Sequence, residues 1–355
     1  MNTIELSPLA EKEKKQKDIK CVIWDLDNTI WDGVLLEDQQ VTLHAGVVEI
    51  IKTLDERGIL QSIASKNHHG QAMEKLSEFG IEEYFLYPEI NWNAKASSIG
   101  KIVKSLNIGI DTIAFIDDQP FERDEVRFSW PDVRCIDALN LGQVLEMPAM
   151  NPRFITSDSK RRRQMYLSNM EREEAEEIFE GPQEEFLASL DMKLRIFSAQ
   201  SEDLQRAEEL TVRTNQLNAT GYTYSYEELD QLRQSPNHQL LMASLEDKYG
   251  TYGHIGLSLL ECTDAIWTIK LLLMSCRVMS RGVGSVLLSY LMKSASSAQV
   301  RLQAEFVPTD RNRMMNITYR FAGFEEVANQ GELQILEHNL KDIQAFPNYM
   351  QVDIL

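Results

Sequence analysis

The sequence predicts an α/β protein: a doubly wound, mostly parallel sheet in its first half and a separately organised α/β domain in its second. Three observations carry this. Between residues 19 and 120, short apolar runs alternate with helical patterns of roughly a dozen residues, as βαβ units require. At 355 residues the chain has the length of about two domains. From Arg153 to about Gly181 the composition shifts, with Lys160-Arg161-Arg162-Arg163 ahead of an acidic stretch from Glu171 to Glu180. Charge blocks of this kind mark a solvated helix between domains, and the basic run alone also reads as a docking patch. The expected division is an N-terminal tail over 1–18, a first domain over 19–150, a helical linker over 151–185, a second domain over 186–330 and a C-terminal tail over 331–355.

The opening run, Cys21 to Trp24, reads as a buried strand that breaks off into Asp25-Leu26-Asp27-Asn28-Thr29. A helix is expected from Gly46 to Gly58, with Val47, Ile50, Ile51 and Leu54 at helical spacing and Gly58 as its stop. A strand from Ile59 to Ala64 ends in Ser65-Lys66-Asn67-His68-His69. There follow a helix to Phe79-Gly80, a short strand at Tyr84 to Tyr87, and a helix opened by Asn93-Ala94-Lys95. A strand from Thr112 to Ile116 then terminates in Asp117-Asp118-Gln119-Pro120. The second half reads strand 192–198, helix 202–212, strands 239–246, 254–261 and 265–274, helix 283–296, strand 300–307, helix 311–321, and a last strand from Phe324.

Four polar clusters thus fall at strand ends or helix starts that can share one edge of the first sheet, where open α/β sheets do chemistry. Asp25 and Asp27 share a face of an extended chain and can converge. Such carboxylates repel, and a hard divalent cation such as Mg2+ relieves them. Asp25 can attack phosphorus as a nucleophile, and Asp27 can protonate the leaving oxygen. Ser65 and Lys95 can hold the phosphoryl oxygens. Asp117 or Asp118, with Asp25 and the Asp27 carbonyl, can complete an oxygen-rich metal site.

The pattern Asp-x-Asp-x-Thr, Ser, Lys, Asp-Asp resembles the motifs of the haloacid dehalogenase (HAD) superfamily, which implies a HAD-like Rossmannoid fold with Asp25 as phosphoryl acceptor. Thr29, Asn28 and Asn67 are then expected at the phosphate with Ser65 and Lys95. The insert between Asp32 and Gly46 is too short for a covering cap domain. In the second half, Arg277-Val278-Met279-Ser280-Arg281-Gly282-Val283-Gly284 lies between a strand and a helix. Glycines at a helix start with nearby arginines favour phosphate. This resembles the pyrophosphate loop of the GNAT acetyltransferase fold, with position 286 valine where that pattern has a second glycine. A GNAT-like α/β domain is therefore expected, with Arg277, Arg281, Gly282, Gly284, Arg213 and Asn215 at an acyl or pantetheine group.

Joined, the two halves resemble the FkbH family. The segments Asp25 to Trp31, Ser65-Lys66-Asn67, Phe115 to Asp118, Arg213 to Gln216 and Ser275 to Met279 carry the likeness. It implies transfer of the glyceryl group of 1,3-bisphosphoglycerate to the phosphopantetheine of an acyl carrier protein in polyketide and related pathways. Cys276, beside Arg277 and a helix start, is the expected acyl-carrying thiol. Cys21 is the alternative, although ~3.3 Å per residue sets it roughly 13 Å behind Asp25. After Trp31-Asp32-Gly33 the loop departs from the commoner family form, which leaves the acyl group open. Lys160 to Arg163, or Arg311 and Arg313, are the patches a carrier would use.

A net charge of -19 disfavours binding to nucleic acid or anionic membranes. Four scattered cysteines, no apolar leader and no membrane-length apolar run give a cytoplasmic expectation.

Overall fold

The computed structural model describes residues 17–38 and 40–355, so the expected tail over 1–18 lies almost wholly outside the described residues. The chain divides into two compact units, Met1–Arg163 and Gln164–Leu355. Among the described residues no helix is long and apolar enough to cross a membrane.

The first unit grows around β1 (Cys21–Trp24), buried along its whole length because parallel sheets are covered on both faces. Two short strands, β2 (Trp31–Asp32) and β3 (Thr42–Leu43), pair with each other outside the main sheet. Helix α1 (Val47–Glu56) buries Val47, Ile50, Ile51 and Leu54, the stripe its spacing demands. Then come β4 (Leu60–Ser65), α2 (His69–Glu78), β5 (Glu89–Ile90), α3 (Lys95–Leu106), β6 (Ile113–Asp117), α4 (Pro120–Ser129) and β7 (Arg134–Asp137). The sheet order is β5-β4-β1-β6-β7, parallel throughout. Trp24 stands level with Ile63 on one side and Ile116 on the other. The next residues, Asp25 and Asp117, therefore stand side by side at the carboxyl edge of the sheet. The strand expected at Tyr84 to Tyr87 is reduced to a single parallel bridge of Phe85 with Gln61 after a 3-10 turn at Glu82–Tyr84, and the next strand pairing is at Glu89. Tyr87 has a φ of 48°, a left-handed step that an extended strand cannot contain.

Part of the expected linker belongs to this unit. After α5 (Ser157–Lys160) comes α6 (Arg162–Glu177), within which the division falls. Arg162 and Arg163 are buried: Arg162 Nη1 donates to Gly58 O at 2.6 Å, and Arg163 reaches Asp55 and Glu83 at 3.0 Å each. The basic run is thus spent on α1 and its neighbours, which corrects the docking-patch reading for these two arginines. Gly58 itself has φ +69°, and a Cβ there would lie 2.7 Å from Ser159 O and 2.9 Å from Ser159 Cα. Gly58→Ala is expected to destabilise this unit by about 2–4 kcal/mol, left-handed strain plus overpacking, read as a lower denaturation midpoint.

The second unit continues with α7 (Gln183–Ser189), β8 (Met192–Ser198), α8 (Leu204–Arg213), α9 (Tyr226–Gln234), β9 (His238–Asp247), β10 (Gly250–Cys262) and β11 (Ile266–Met274). It ends with α10 (Val283–Ser297), β12 (Arg301–Phe306), α11 (Arg313–Phe321), β13 (Glu325–Gln330), β14 (Leu333–His338) and β15 (Met350–Ile354). The sheet order is β13-β14-β12-β11-β10-β9-β8-β15, with β11/β12 and β15/β8 parallel and the rest antiparallel. Val283, Val286, Leu287 and Leu291 of α10 pack on one face, and Leu204, Leu210 and Leu229 of α8 and α9 on the other. The α/β architecture is as expected. The segment 331–355 is no tail, however, since β14 and β15 lie within the sheet.

Candidate functional site

The carboxyl edge of the first sheet gathers the charged residues. Asp25 is 5% exposed and Lys95 3%. Lys95 Nζ lies 2.8 Å from Asp25 Oδ1 and 2.5 Å from Asp117 Oδ2, and it also pairs with Glu122. Its place as the first residue of α3 aims it from the β5 side across β4 toward β1 and β6. The Ser65 hydroxyl bonds the Asp25 carboxylate. One oxygen each from Asp25, Asp117 and Asp118 lies within 4.8 Å of the others. Asp117 Oδ1 accepts from Gln119 N at 2.7 Å, and Arg123 Nη1 donates to Asp117 O at 2.6 Å, which fixes the strand end.

Burial pushes the Asp25 carboxyl up to about 7; the Asp117 charge adds to this, while Lys95 and Ser65 act the other way. Burial likewise raises Asp117 against the pull of Lys95. Burial works against the Lys95 charge, yet the two aspartates outweigh it and push the amine up.

These residues fit a hard divalent cation such as Mg2+. Asp25, Asp117 and Asp118 offer three convergent oxygens, and with Glu122 they set four carboxylates against the two ammonium groups of Lys95 and Lys66. Asp25, Asp117 and Asp118 would hold the ion. A group that must lose its proton to bind metal gives pH-dependent affinity. Below about pH 7, where Asp25 is protonated, the apparent Mg2+ affinity is expected to weaken about tenfold per pH unit and to level off above it. In the metal-free protein the sign for stability follows: the raised Asp25 adds stability below about pH 4, lost as pH rises through about 7. Magnesium titrations by calorimetry between pH 5.5 and 8.5 check the first point; an affinity flat across that range would contradict it.

Asp27 is turned differently. Its Oδ1 accepts from Trp31 Nε1 at 2.8 Å and Leu35 N at 3.1 Å, and its Oδ2 accepts from Asn67 Nδ2 at 3.0 Å. Its carboxylate is outside the three-oxygen cluster, leaving only its backbone carbonyl for the metal role expected of it. Three expected phosphate contacts are corrected. Asn28, at φ 53°, accepts from Gly33 N through Oδ1 at 3.1 Å and so clamps the loop. Thr29 Oγ1 accepts from Asp118 N at 3.1 Å, tying the loop after β1 to the loop after β6. Asn67 is buried and positions Asp27.

Sequence reasoning missed Glu122 and the pairing of Lys66. Glu122 Oε1 lies 2.8 Å from Lys66 Nζ while its other oxygen meets Lys95. Burial opposes the Glu122 charge, but the bonds from both lysines outweigh it and hold the carboxyl below its ordinary range. The available signal was an acid in the first turn of a helix opened by proline, which ordinarily reads as a response to the helix dipole.

The sites expected in the second unit come out otherwise. Arg281 is buried, paired with Glu176 at 3.0 Å and set over the Phe186 ring. A Cβ on Gly282 would lie 2.4 Å from Tyr349 Oη, and one on Gly284 would lie 3.0 Å from Met274 Cε. Both glycines thus admit protein groups. The Arg277 guanidinium donates to Ser275 Oγ at 3.3 Å and Met165 Sδ at 2.8 Å. Arg281 is thus committed to Glu176, which corrects its anion-binding reading. Past Ile269 and Ala304 the strands β11 and β12 part, and Leu217-Asn218-Ala219 fills the gap. Ala219 N donates to Leu272 O at 3.0 Å, Met274 N to Leu217 O at 2.9 Å, and Val307 N to Ala219 O at 3.0 Å. Arg213 lies 4.0 Å from Glu209, and Asn215 is exposed. Cys276 is half-buried in the short turn Cys276–Val278, whereas Cys21 is fully buried and its thiol is pushed up by burial.

The fold and the carboxylate site of the first unit are similar to those of haloacid dehalogenase-like hydrolase domains. A model of the haloacid dehalogenase-like hydrolase family matches residues 33–124, a span holding Ser65, Lys95, Asp117 and Asp118 but starting after Asp27. The chain is similar to the phosphatase-domain-containing N-terminal part of a Bacteroides fragilis protein complexed with Mg, at 35% identity and a TM-score of 0.34. That match covers 38% of this chain and 40% of the other. Ribosomal-protein-S18-alanine N-acetyltransferase from Escherichia coli is 16% identical, TM-score 0.33, over 44% of this chain and 97% of its own. Spermidine N-acetyltransferase from Vibrio cholerae, in complex with CoA and spermine, is 14% identical, TM-score 0.31, over 41% and 92%. No curated protein matches the chain.

Proposed function

We propose that the chain is a magnesium-dependent phosphohydrolase acting on a small phosphorylated acid, 1,3-bisphosphoglycerate or a similar acyl phosphate. It loads the glyceryl group as a thioester on an acyl carrier protein in polyketide or secondary-metabolite biosynthesis. The observation that carries the phosphoryl chemistry is the buried Lys95 ammonium between Asp25 and Asp117, beside three convergent carboxylate oxygens.

An Asp25 oxygen attacks phosphorus, and the bond to the leaving oxygen breaks as that oxygen takes a proton from Asp27. Water then attacks the phosphorus of the aspartyl phosphate, gives its proton to Asp27 and frees Asp25. Ser65 and Lys95 orient the phosphoryl oxygens, and Lys95 balances the charge that builds on them. Bound magnesium would neutralise further charge on the same oxygens. The hydrogen bonds from Trp31, Leu35 and Asn67 keep Asp27 in a fixed rotamer for its part.

The acyl-transfer part is supported by the five segments that resemble the FkbH family and by the half-buried Cys276. The Cys276 thiolate attacks the acyl carbon, a C–S bond forms, and the phosphate departs with the electron pair of the broken C–O bond. The carrier's pantetheine thiol, a substrate here, then attacks the thioester carbon, and as the bond to Cys276 breaks its proton passes to the Cys276 sulfur, which leaves as the thiol. Incubating the full chain with Mg2+ and 1,3-bisphosphoglycerate tests both parts by phosphate release and intact mass. A glyceryl adduct lost in Cys276→Ala supports the whole reading. Phosphate release with no adduct leaves a plain phosphohydrolase, and no release overturns both.

A further inference from the structure

Glu122 joins two cations of different character. Lys95 is buried among Asp25, Asp117 and Glu122, while the Lys66 side chain is 36% exposed. The two ammonium groups sit on the two oxygens of one carboxylate, so they lie at most roughly 7 Å apart, two hydrogen-bond lengths plus a carboxylate width. Lys66 follows Ser65 at the end of β4 and precedes Asn67, so it lies between a residue on Asp25 and one on Asp27. A half-exposed ion pair of this kind adds little to stability, typically 0–1 kcal/mol. Its geometry is more telling: Glu122 draws a long, flexible side chain in to the rim of the phosphoryl site. An ammonium has three donors, and the Glu122 carboxylate takes one of them.

We propose that Lys66, held by Glu122, binds a second anionic group on the substrate and so selects phosphorylated acids over simple phosphate monoesters. This rests on the phosphohydrolase reading and adds a specificity residue to it. In a three-carbon phosphorylated acid the carboxylate lies about 5 Å from phosphorus by ordinary bond lengths, within the separation set by Glu122. A phosphoryl group near Lys95 and Asp25 then leaves the carboxylate at Lys66. Lys66 touches no reacting atom in this scheme.

The test compares 3-phosphoglycerate with glycerol 3-phosphate, which differ in the carboxylate. Binding is measured by calorimetry with Mg2+ in Asp25→Asn, so that turnover does not intervene. Adding Lys66→Met is expected to weaken 3-phosphoglycerate about tenfold and leave glycerol 3-phosphate unchanged, with Lys66→Arg restoring most of the difference. Equal weakening of both ligands, or of neither, overturns the inference. Phosphate release by the unsubstituted chain is followed separately. If it hydrolyses neither compound nor any acyl phosphate, the phosphohydrolase reading fails whatever Lys66 does to binding.

Discussion

Asp25→Asn is expected to lower the proposed magnesium-dependent phosphate release by on the order of 10⁴-fold or more, because an amide cannot serve as the phosphoryl acceptor. The substitution keeps the shape of the side chain, so Ser65 and Lys95 retain a partner of the same size. What changes is charge. Asp25 is buried, and its carboxyl titrates near 7 because burial resists ionisation. A neutral amide removes that resistance. The metal-free Asp25→Asn protein is therefore expected to melt at or above the temperature of the unsubstituted protein at pH 8, while the stabilisation gained from added Mg2+ shrinks. Activity lost with the fold kept is the combination that marks a reacting group. A variant that holds more than a tenth of the rate would remove Asp25 from the chemistry and leave the cluster as a structural feature.

Much of this edge was legible because strand ends follow from local patterns. The runs before Asp25 and Asp117 are apolar and of strand length, the run before Ser65 is apolar apart from Gln61 and Ser62, and each stops at a polar residue. A parallel sheet must then set those stops side by side. Roles that depend on where individual donors point were not legible. Asn28 and Thr29 have the residue types of a phosphate loop, yet their oxygens take the N–H groups of Gly33 and Asp118. Glu122 acquires its meaning only when α4 packs beside the start of α3. Arg281 looked like an anion ligand until Glu176, 105 residues earlier in the chain, was seen to occupy it. The apolar alternation of β15 is visible as Met350, Val352 and Ile354, but its partner β8 lies 158 residues earlier, and a terminal stretch alone does not announce that pairing.

The second unit contains a buried ion pair, and breaking it on one side has the largest stability effect expected of any single change there. Arg172 and Asp247 are both fully buried, with Nε and Nη2 each 2.7 Å from a carboxylate oxygen. The guanidinium stacks 3.9 Å from the Tyr252 ring centre. The two sides are unequally satisfied. Asp247 also accepts from Tyr252 Oη at 3.0 Å, Tyr249 N at 2.9 Å and Gly250 N at 3.2 Å. Among the described residues Arg172 has one other acceptor, Gly250 O at 3.1 Å, and its Nη1 has none. Asp247→Leu therefore strands a buried cation and is expected to cost about 3–5 kcal/mol, a fall of about 10 °C in the melting of this unit. Arg172→Met leaves a carboxylate that keeps three donors, so it should cost less. The double variant Arg172→Met/Asp247→Leu should recover part of the loss, since no buried charge remains. Unfolding of the three variants, followed as a coupling energy, checks the order; singles that lie within about 1 kcal/mol of the unsubstituted chain would show the pair to be dispensable.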